Sequence, residues 1–248
     1  MPDLKFGCTL CGRCCQNHSL PLTLDEAIAW LEDRGQVSIY CEAYIETGQP
    51  DARAEHRRKR SFPVRCGSSQ ARVTAIFVAV SSGECKNLGE DLKCRIYERR
   101  PLVCRIYPAE INPFIEINPA SKACPAEAWT SGASLVDAQM KRLIEESRQT
   151  DRNDVPQKML VCRELKINVA ALADEGYAAY HPGEKLLLDI LKRARAADLS
   201  PRQPLDQWRL YSPSLVTGKH LQARGLETIA EKHFDDRYSF LHGHSPPA

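Results

Sequence analysis

A marked excess of charge of one sign is missing from this chain: 34 Lys and Arg residues stand against 32 Asp and Glu, a formal net charge of +2. That balance removes the argument for a generic nucleic-acid binder or a protein held on an anionic membrane. Long hydrophobic runs are missing too. The longest, Val73 to Val80 with Thr74 inside it, is less than half of the ~20 residues a membrane-spanning helix needs, so no membrane association is expected. The N-terminal text MPDLKFGCTLCGRCC lacks a charged segment followed by an apolar stretch and a small-residue cleavage site. Export by the general route is therefore not expected, and the cytosol is the expected compartment. Glycine is held to 13 residues, with no G-x-G-x-x-G after a strand, and G-x-S-x-G, the P-loop and H-E-x-x-H are absent as well.

Cysteine, by contrast, is abundant, at 11 residues in 248. At ~150 residues per domain that length admits one large domain or two small ones. A chain of this size buries roughly 70 to 75% of its unfolded surface, so thiols are not needed merely to staple a miniature fold. Cytosolic thiols stay reduced, and a dense cysteine pattern then points first to metal and only second to disulfides. The odd total agrees with that order.

Along the chain, Thr23 and Glu26 have capping-box spacing ahead of an apolar face of Ala27, Ile28 and Leu31, which predicts a helix from about Leu24 to Arg34, stopped at Gly35. A strand is expected at Val37 to Tyr40. Residues 47–60 contain RAEHRRKR and no apolar periodicity, so they read as a solvated loop without interleaved aromatics for nucleic acid. Val64 to Cys66 and Val73 to Val80 are β-branched and apolar, the second strand central to a small sheet. Residues 81–124 are loop-rich and contain CRIY twice. Arg100-Pro101 reads as a helix entrance and Pro108 as its end, which puts Cys104 on a short helix. The run Ile111 to Ile117, broken by Pro113, reads as an edge strand. After Cys124 the text turns helical: Ser134 to Arg148, a helix opened by Asp154 and Pro156, another opened by Pro182 with Leu186, Leu187, Ile190 and Leu191, and a last one from about Lys219 to His233. Pro201, Pro204 and Pro213 make the stretch around Trp208 irregular. The fold class is α+β, a small cysteine-rich sheet and loop region with a metal site (residues 1–125) packed against a C-terminal helical region (residues 126–248).

Cys8, Cys11, Cys14 and Cys15 form C-x2-C-x2-C-C. Two intervening residues let a tight turn aim two sulfurs at one centre, as in zinc knuckles and iron-sulfur loops, and Gly12 helps the turn. Three thiolates this close match the loops in which successive cysteines hold different irons, whereas structural zinc more often draws two cysteines from each of two knuckles. Adjacent side chains converge on one atom only with strain, so Cys15 serves another iron, a second metal or packing. A second group, Cys85, Cys94, Cys104 and Cys124, lies where an N-terminal hook can meet it. The two groups suffice for one cluster with spare ligands or for two four-ligand sites. Four thiolates on Zn²⁺, or on a cube of formal charge +2, leave a net −2, which Arg13, Arg95, Arg99, Arg100 and Arg105 are placed to offset, with Tyr97 and Tyr107 as candidate donors to sulfur. Cys41, Cys66 and Cys162 read as core residues. His18 and the late His220, His233, His242 and His244 read as solvated or packed rather than ligating.

The segments FGCTLCGRCC, CKNLGEDLKCRIYERRPLVCRIYP and Cys124-Pro125 resemble the YkgJ family of cysteine-cluster proteins, the CxxCxxCC group described as zinc- or iron-chelating. The resemblance covers about the first 125 residues. It implies that Cys8, Cys11, Cys14, Cys15, Cys85, Cys94, Cys104 and Cys124 occupy the family's cysteine positions. The cluster is also similar to that of flagellin lysine methylases, which implies an alternative: methyl transfer from S-adenosylmethionine to a protein lysine. Tyr40, Glu42 and Tyr44 are unassigned candidates for proton removal in that case. The preferred expectation is an iron-sulfur cluster, with zinc second, and a protein partner or substrate is possible under either reading.

Overall fold

A computed structural model of the chain describes residues 4–46, 48, 51–81, 83–198, 206–230, 234 and 237–242. In chain order its elements are β1 (Lys5–Phe6), β2 (Ser19–Leu22), α1 (Leu24–Glu32), β3 (Ser38–Tyr44), α2 (Ala52–Lys59), β4 (Phe62–Cys66), β5 (Ser69–Val80), α3 (Leu102–Ile106), β6 (Ala133–Ser134), α4 (Ala138–Asn153), α5 (Val155–Glu164), β7 (Val169–Leu172), β8 (Gly176–Tyr180), α6 (Glu184–Ala196), β9 (Arg209–Tyr211), α7 (Leu215–Ala223) and β10 (Tyr238–His242). The class is α+β, as expected. No helix among the described residues is long and apolar enough to cross a membrane.

Eight strands form one mixed sheet in the order β10-β8-β3-β5-β2, with β4 also on β5 and β7 joining β3 to β9. The long β5 lies inside the sheet because its alternate residues are apolar on both faces, burying Val73, Ala75, Phe77 and Ala79 on one side and Ile76 and Val78 on the other. On the first face Ile39, Cys41 and Ala43 of β3 pack with α1, α5 and α6 into the main core. The opposite face carries Tyr40, Ile76, Val78, Tyr177 and Ala179. A third core beside the cysteine loops packs α3 on α4 through Leu102, Ile106 and Ile144, with Phe6 against Trp129.

The capping box at α1 is formed: Glu26 N–H donates to Thr23 Oγ1 and Thr23 N–H donates to Glu26 Oε2. Four expectations are corrected. Residues 52–59 are helical, not loop, because Asp51 caps them by accepting from Ala54 N–H. This helix buries no residue, so no apolar stripe marked it; Arg57 ties it to Asp174, and Arg53 and Arg57 lie over the Phe114 and Tyr44 rings. Residues 111–117 make no strand, because Asn112 bends them, its side chain accepting from Phe114 N–H and its carbonyl from Ile115 N–H. The second half of the chain is not purely helical; β7, β8, β9 and β10 enter the same sheet as β3 and β5, and β9 makes part of the stretch after Trp208 regular. The last helix runs Leu215–Ala223, capped by Ser214 and ended before Gly225 at φ +76°. Pro201, Pro204, His233 and His244 lie outside the described residues.

Candidate metal centre

The chain before Cys8 is tied to the chain just after Cys124. Lys5 and Phe6 pair with Ser134 and Ala133, and Gly7 N–H donates to the Ala128 carbonyl at 2.9 Å. Between these ties the hook Cys8 to Cys15 turns at Gly12 (φ +69°), and Cys15 N–H closes a single 3₁₀ turn onto the Gly12 carbonyl at 2.9 Å. A Cβ at Gly12 would lie 2.9 Å from the Leu92 carbonyl oxygen, so both the backbone angle and the close approach of the second cysteine loop call for glycine. That loop is docked on the hook: Cys85 N–H donates to the Cys15 carbonyl and Asn17 N–H to the Gly83 carbonyl, both at 2.7 Å. It is closed on itself by the Leu88–Cys94 bridge.

Cys104 rides on α3, as expected. The helix is held by Glu26 of α1, whose Oε1 accepts from Leu102 N–H at 2.6 Å while Oε2 accepts from Thr23 N–H at 2.9 Å. One carboxylate thus joins the starts of two helices. Beside Cys124, the Tyr107 hydroxyl accepts from Ala123 N–H at 2.8 Å and shares a hydrogen bond with the Cys124 thiol.

Cys8, Cys11, Cys14, Cys15, Cys85, Cys94, Cys104 and Cys124 all line one cavity of about 600 Å³. Cys8 and Cys14 are exposed, Cys85 is buried, and the rest lie between. Cys41, Cys66 and Cys162 are buried away from it: Cys41 hydrogen-bonds Cys162 inside the main core, and Cys66 Sγ donates to the Glu227 carbonyl at 3.3 Å. Among the described residues no three histidine, cysteine or carboxylate groups already converge as a single-ion site; the eight thiols ring the cavity instead.

The lining holds no Asp or Glu and five cations, Arg13, Lys93, Arg100, Arg105 and Lys122. Thiol donors without carboxylates suit zinc or iron and not calcium or magnesium. The hydrogen bond from Cys15 lowers Cys14 to about 6, against the effect of burial and with help from Arg100, and the same bond raises Cys15. Burial first, then neighbouring Cys85 and Cys14, pushes Cys104 up to about 12; burial also raises Cys85 and Cys124. A cation near thiols that raise one another in this way would favour their ionised forms.

Arg13, Arg100 and Arg105 line the cavity as expected, while Arg95 and Arg99 do not. Tyr107 lies on the wall, and Tyr97 carries the Arg100 guanidinium 3.6 Å above its ring centre. Sequence reasoning missed Lys93 and Lys122, although each stands within two residues of a candidate ligand. His18 also lines the cavity, with both ring nitrogens buried and without a hydrogen-bond partner; burial lowers its pKa and keeps it neutral. His220 and His242 lie on α7 and β10, outside that lining.

Neither a curated protein nor a solved structure matches the chain. A family model does, over residues 7–125, with the description "putative zinc- or iron-chelating domain". The matched span opens one residue before Cys8 and ends one after Cys124, so it encloses every thiol of the cavity and leaves out only Cys162. Residues 7–125 of this chain thus match the model of the CxxCxxCC family, which that description covers.

Proposed function

We propose that the first half of the chain, residues 1–125, holds an iron-sulfur cluster through Cys8, Cys11, Cys14, Cys15, Cys85, Cys94, Cys104 and Cys124, in a reducing compartment such as the cytosol. The supporting observation is the gathering of these eight thiols, and none of the other three, around one cavity of about 600 Å³. Eight donors exceed the four that one tetrahedral zinc takes. The contiguous Cys14 and Cys15, hydrogen-bonded to each other, suit neighbouring irons better than one ion. Thiolates would hold the cluster, the five lining cations would offset its negative charge, and the cluster would supply electron-transfer capacity or a Lewis-acidic iron. Zinc is the second reading. Residues 126–248 then act as the body that buries the back of this site. The methylase alternative gains no support from the family match, whose description names metal chelation.

The test is anaerobic purification followed by the ultraviolet-visible spectrum and assays of iron, zinc and acid-labile sulfide. Broad absorbance near ~400 nm with matched iron and sulfide supports the cluster. Colourless protein with stoichiometric zinc replaces it with the zinc reading. In the triple variant C8A/C11A/C14A the metal content falls, whereas C41A and C162A keep it; unchanged metal in the triple variant refutes the site.

A further inference from the structure

A second cavity, of about 410 Å³, lies next to the metal centre, and Val103, Tyr107, Ser121 and Lys122 line both. Its origin is a gap in the sheet. β4 pairs Ser69–Val73 of β5 and β2 pairs Phe77–Val80, so the stretch between them has no strand on its outer edge, and Ile76 faces the opening. Helices α2, α3, α4 and α5 close around it through His56, Leu102, Arg148 and Lys158.

The charges in this wall do not cancel. It contains four cations, Arg60, Lys122, Arg148 and Lys158, and three carboxylates, Glu26, Glu110 and Asp151. Each carboxylate is already engaged: Glu26 by the two helix starts, Glu110 by Lys122, Asp151 by Arg60 and Lys158 together. Arg148 spends its Nε–H on the Ile111 carbonyl at 2.7 Å, and its nearest carboxylate, Glu145, stands 3.9 Å away and is held by Arg152 at 2.6 Å. The guanidinium is left half-buried with unused donors. His56 shares the wall, and its Nε2 is buried with no hydrogen-bond partner. A buried polar atom and a cation that shares its one nearby carboxylate with Arg152, set against the apolar Ile76, Leu102 and Ile106, make a wall complementary to an amphipathic anion.

We propose that this cavity binds a small organic monocarboxylate, its oxygens received by Arg148 and by the Nε2–H tautomer of His56, and its apolar body packed on Ile76, Leu102 and Ile106. An Arg fork accepts a carboxylate with two parallel bonds, and the volume suits a ligand near the lower end of the usual pocket range.

The test is titration calorimetry on the full metal-loaded chain with acetate, isovalerate and benzoate, using isovaleramide, benzamide and chloride as controls. The expected result is one-to-one binding of isovalerate or benzoate at least tenfold tighter than its amide. The same ligand should weaken at least tenfold, or 1.4 kcal/mol, in R148Q. Saturable stabilisation of the unmutated protein by the carboxylate and not by its amide gives the same answer if R148Q does not fold. Absence of binding by all three carboxylates, amides that bind as well, chloride that competes equally, or unchanged affinity in folded R148Q would each overturn the proposal. Metal content assayed in the same samples keeps this result separate from the fate of the metal site.

Discussion

Lys158 has a side chain only 2% exposed, which is untenable for an ammonium group without a partner. Its partner is Asp151, Oδ1 lying 2.5 Å from Nζ, and the other oxygen of the same carboxylate receives Arg60. Burial by itself would push the Asp151 carboxyl up; Lys158 and Arg60 outweigh it and hold the group well below the ordinary carboxylate range. Replacing Asp151 by Asn keeps the shape and removes the charge, so two cations remain in a cavity wall that already carries a positive excess. Removing one partner of a buried pair costs about 3 to 5 kcal/mol, because the group left behind stays desolvated. With two cations sharing the one carboxylate, D151N belongs at the upper end of that range. The assay is urea unfolding with an unchanged m-value. Because the folded pKa is depressed, this stability is present above pH ~3.9 and is lost as the pH falls toward the folded value. A second variant sharpens the argument: K158M leaves only Arg60 to need the carboxylate, so adding D151N to it should cost at least 1 kcal/mol less than D151N alone. A D151N loss under 1 kcal/mol, or full additivity with K158M, would refute the reasoning.

Gly12→Ala asks two things of the hook, a left-handed residue with a side chain and a Cβ at 2.9 Å from the Leu92 carbonyl, and should cost about 1 to 3 kcal/mol while lowering metal content. Wild-type metal content and unfolding midpoint in G12A would count against the docking of the two cysteine loops. His56 is lowered to about 4 by burial and by the cations of Arg60, Arg148 and Arg152, against the opposing pull of Asp151. It is therefore neutral in the fold, and the unfolded chain binds the extra proton between about pH 6.5 and 4, so stability should fall as pH drops through that window. With solvent screening of the partly exposed ring, the loss is on the order of 1 kcal/mol, and His56→Gln should flatten that part of the pH profile measured by urea unfolding. An identical slope in H56Q would assign the titration elsewhere.

Local sequence chemistry carried part of this structure and missed the rest for reasons visible in particular residues. The Thr23–Glu26 capping box was legible because both partners lie three residues apart and the apolar face follows at once. Cys104 could be placed on a short helix because Pro101 and Pro108 bracket it. The sequence of α2 could not be read the same way: it buries nothing, and what holds it is distant, Asp174 and two aromatic rings. The strands β7 and β8 were hidden for a related reason. VAAL and GYAAY are short and rich in alanine, which signals neither strand nor helix, and they become strands only because β3 offers an edge with both faces covered. In the metal centre the eight thiols were legible from spacing and resemblance. The cavity's Lys93 and Lys122 were not, since a lysine beside a cysteine looks like any surface lysine until the loops are closed.

Glu26 shows how the helical frame and the thiol cavity are linked, and its replacement separates the two contributions. Its carboxylate finishes the cap of α1 with one oxygen and receives the first N–H of α3 with the other, and α3 carries Cys104 two residues further on. A lost cap costs about 1 kcal/mol, and a charge-assisted hydrogen bond to a half-buried amide adds about 1.5 to 3. Glu26→Ala should therefore lose roughly 2 to 4 kcal/mol of stability, while Glu26→Gln, which keeps an acceptor for one of the two amides, should lose about half as much. If the start of α3 fixes the Cys104 sulfur at the cavity, metal retention against a chelator should fall in the same order, wild type above E26Q above E26A. Thr23→Ala supplies the control, because it weakens the α1 cap and leaves Leu102 N–H on Glu26. T23A should lose about 1 kcal/mol in urea unfolding and hold its metal like the wild type. If T23A released metal as readily as E26A, the effect would belong to general stability and not to the placement of Cys104, and the role assigned to this carboxylate would be wrong.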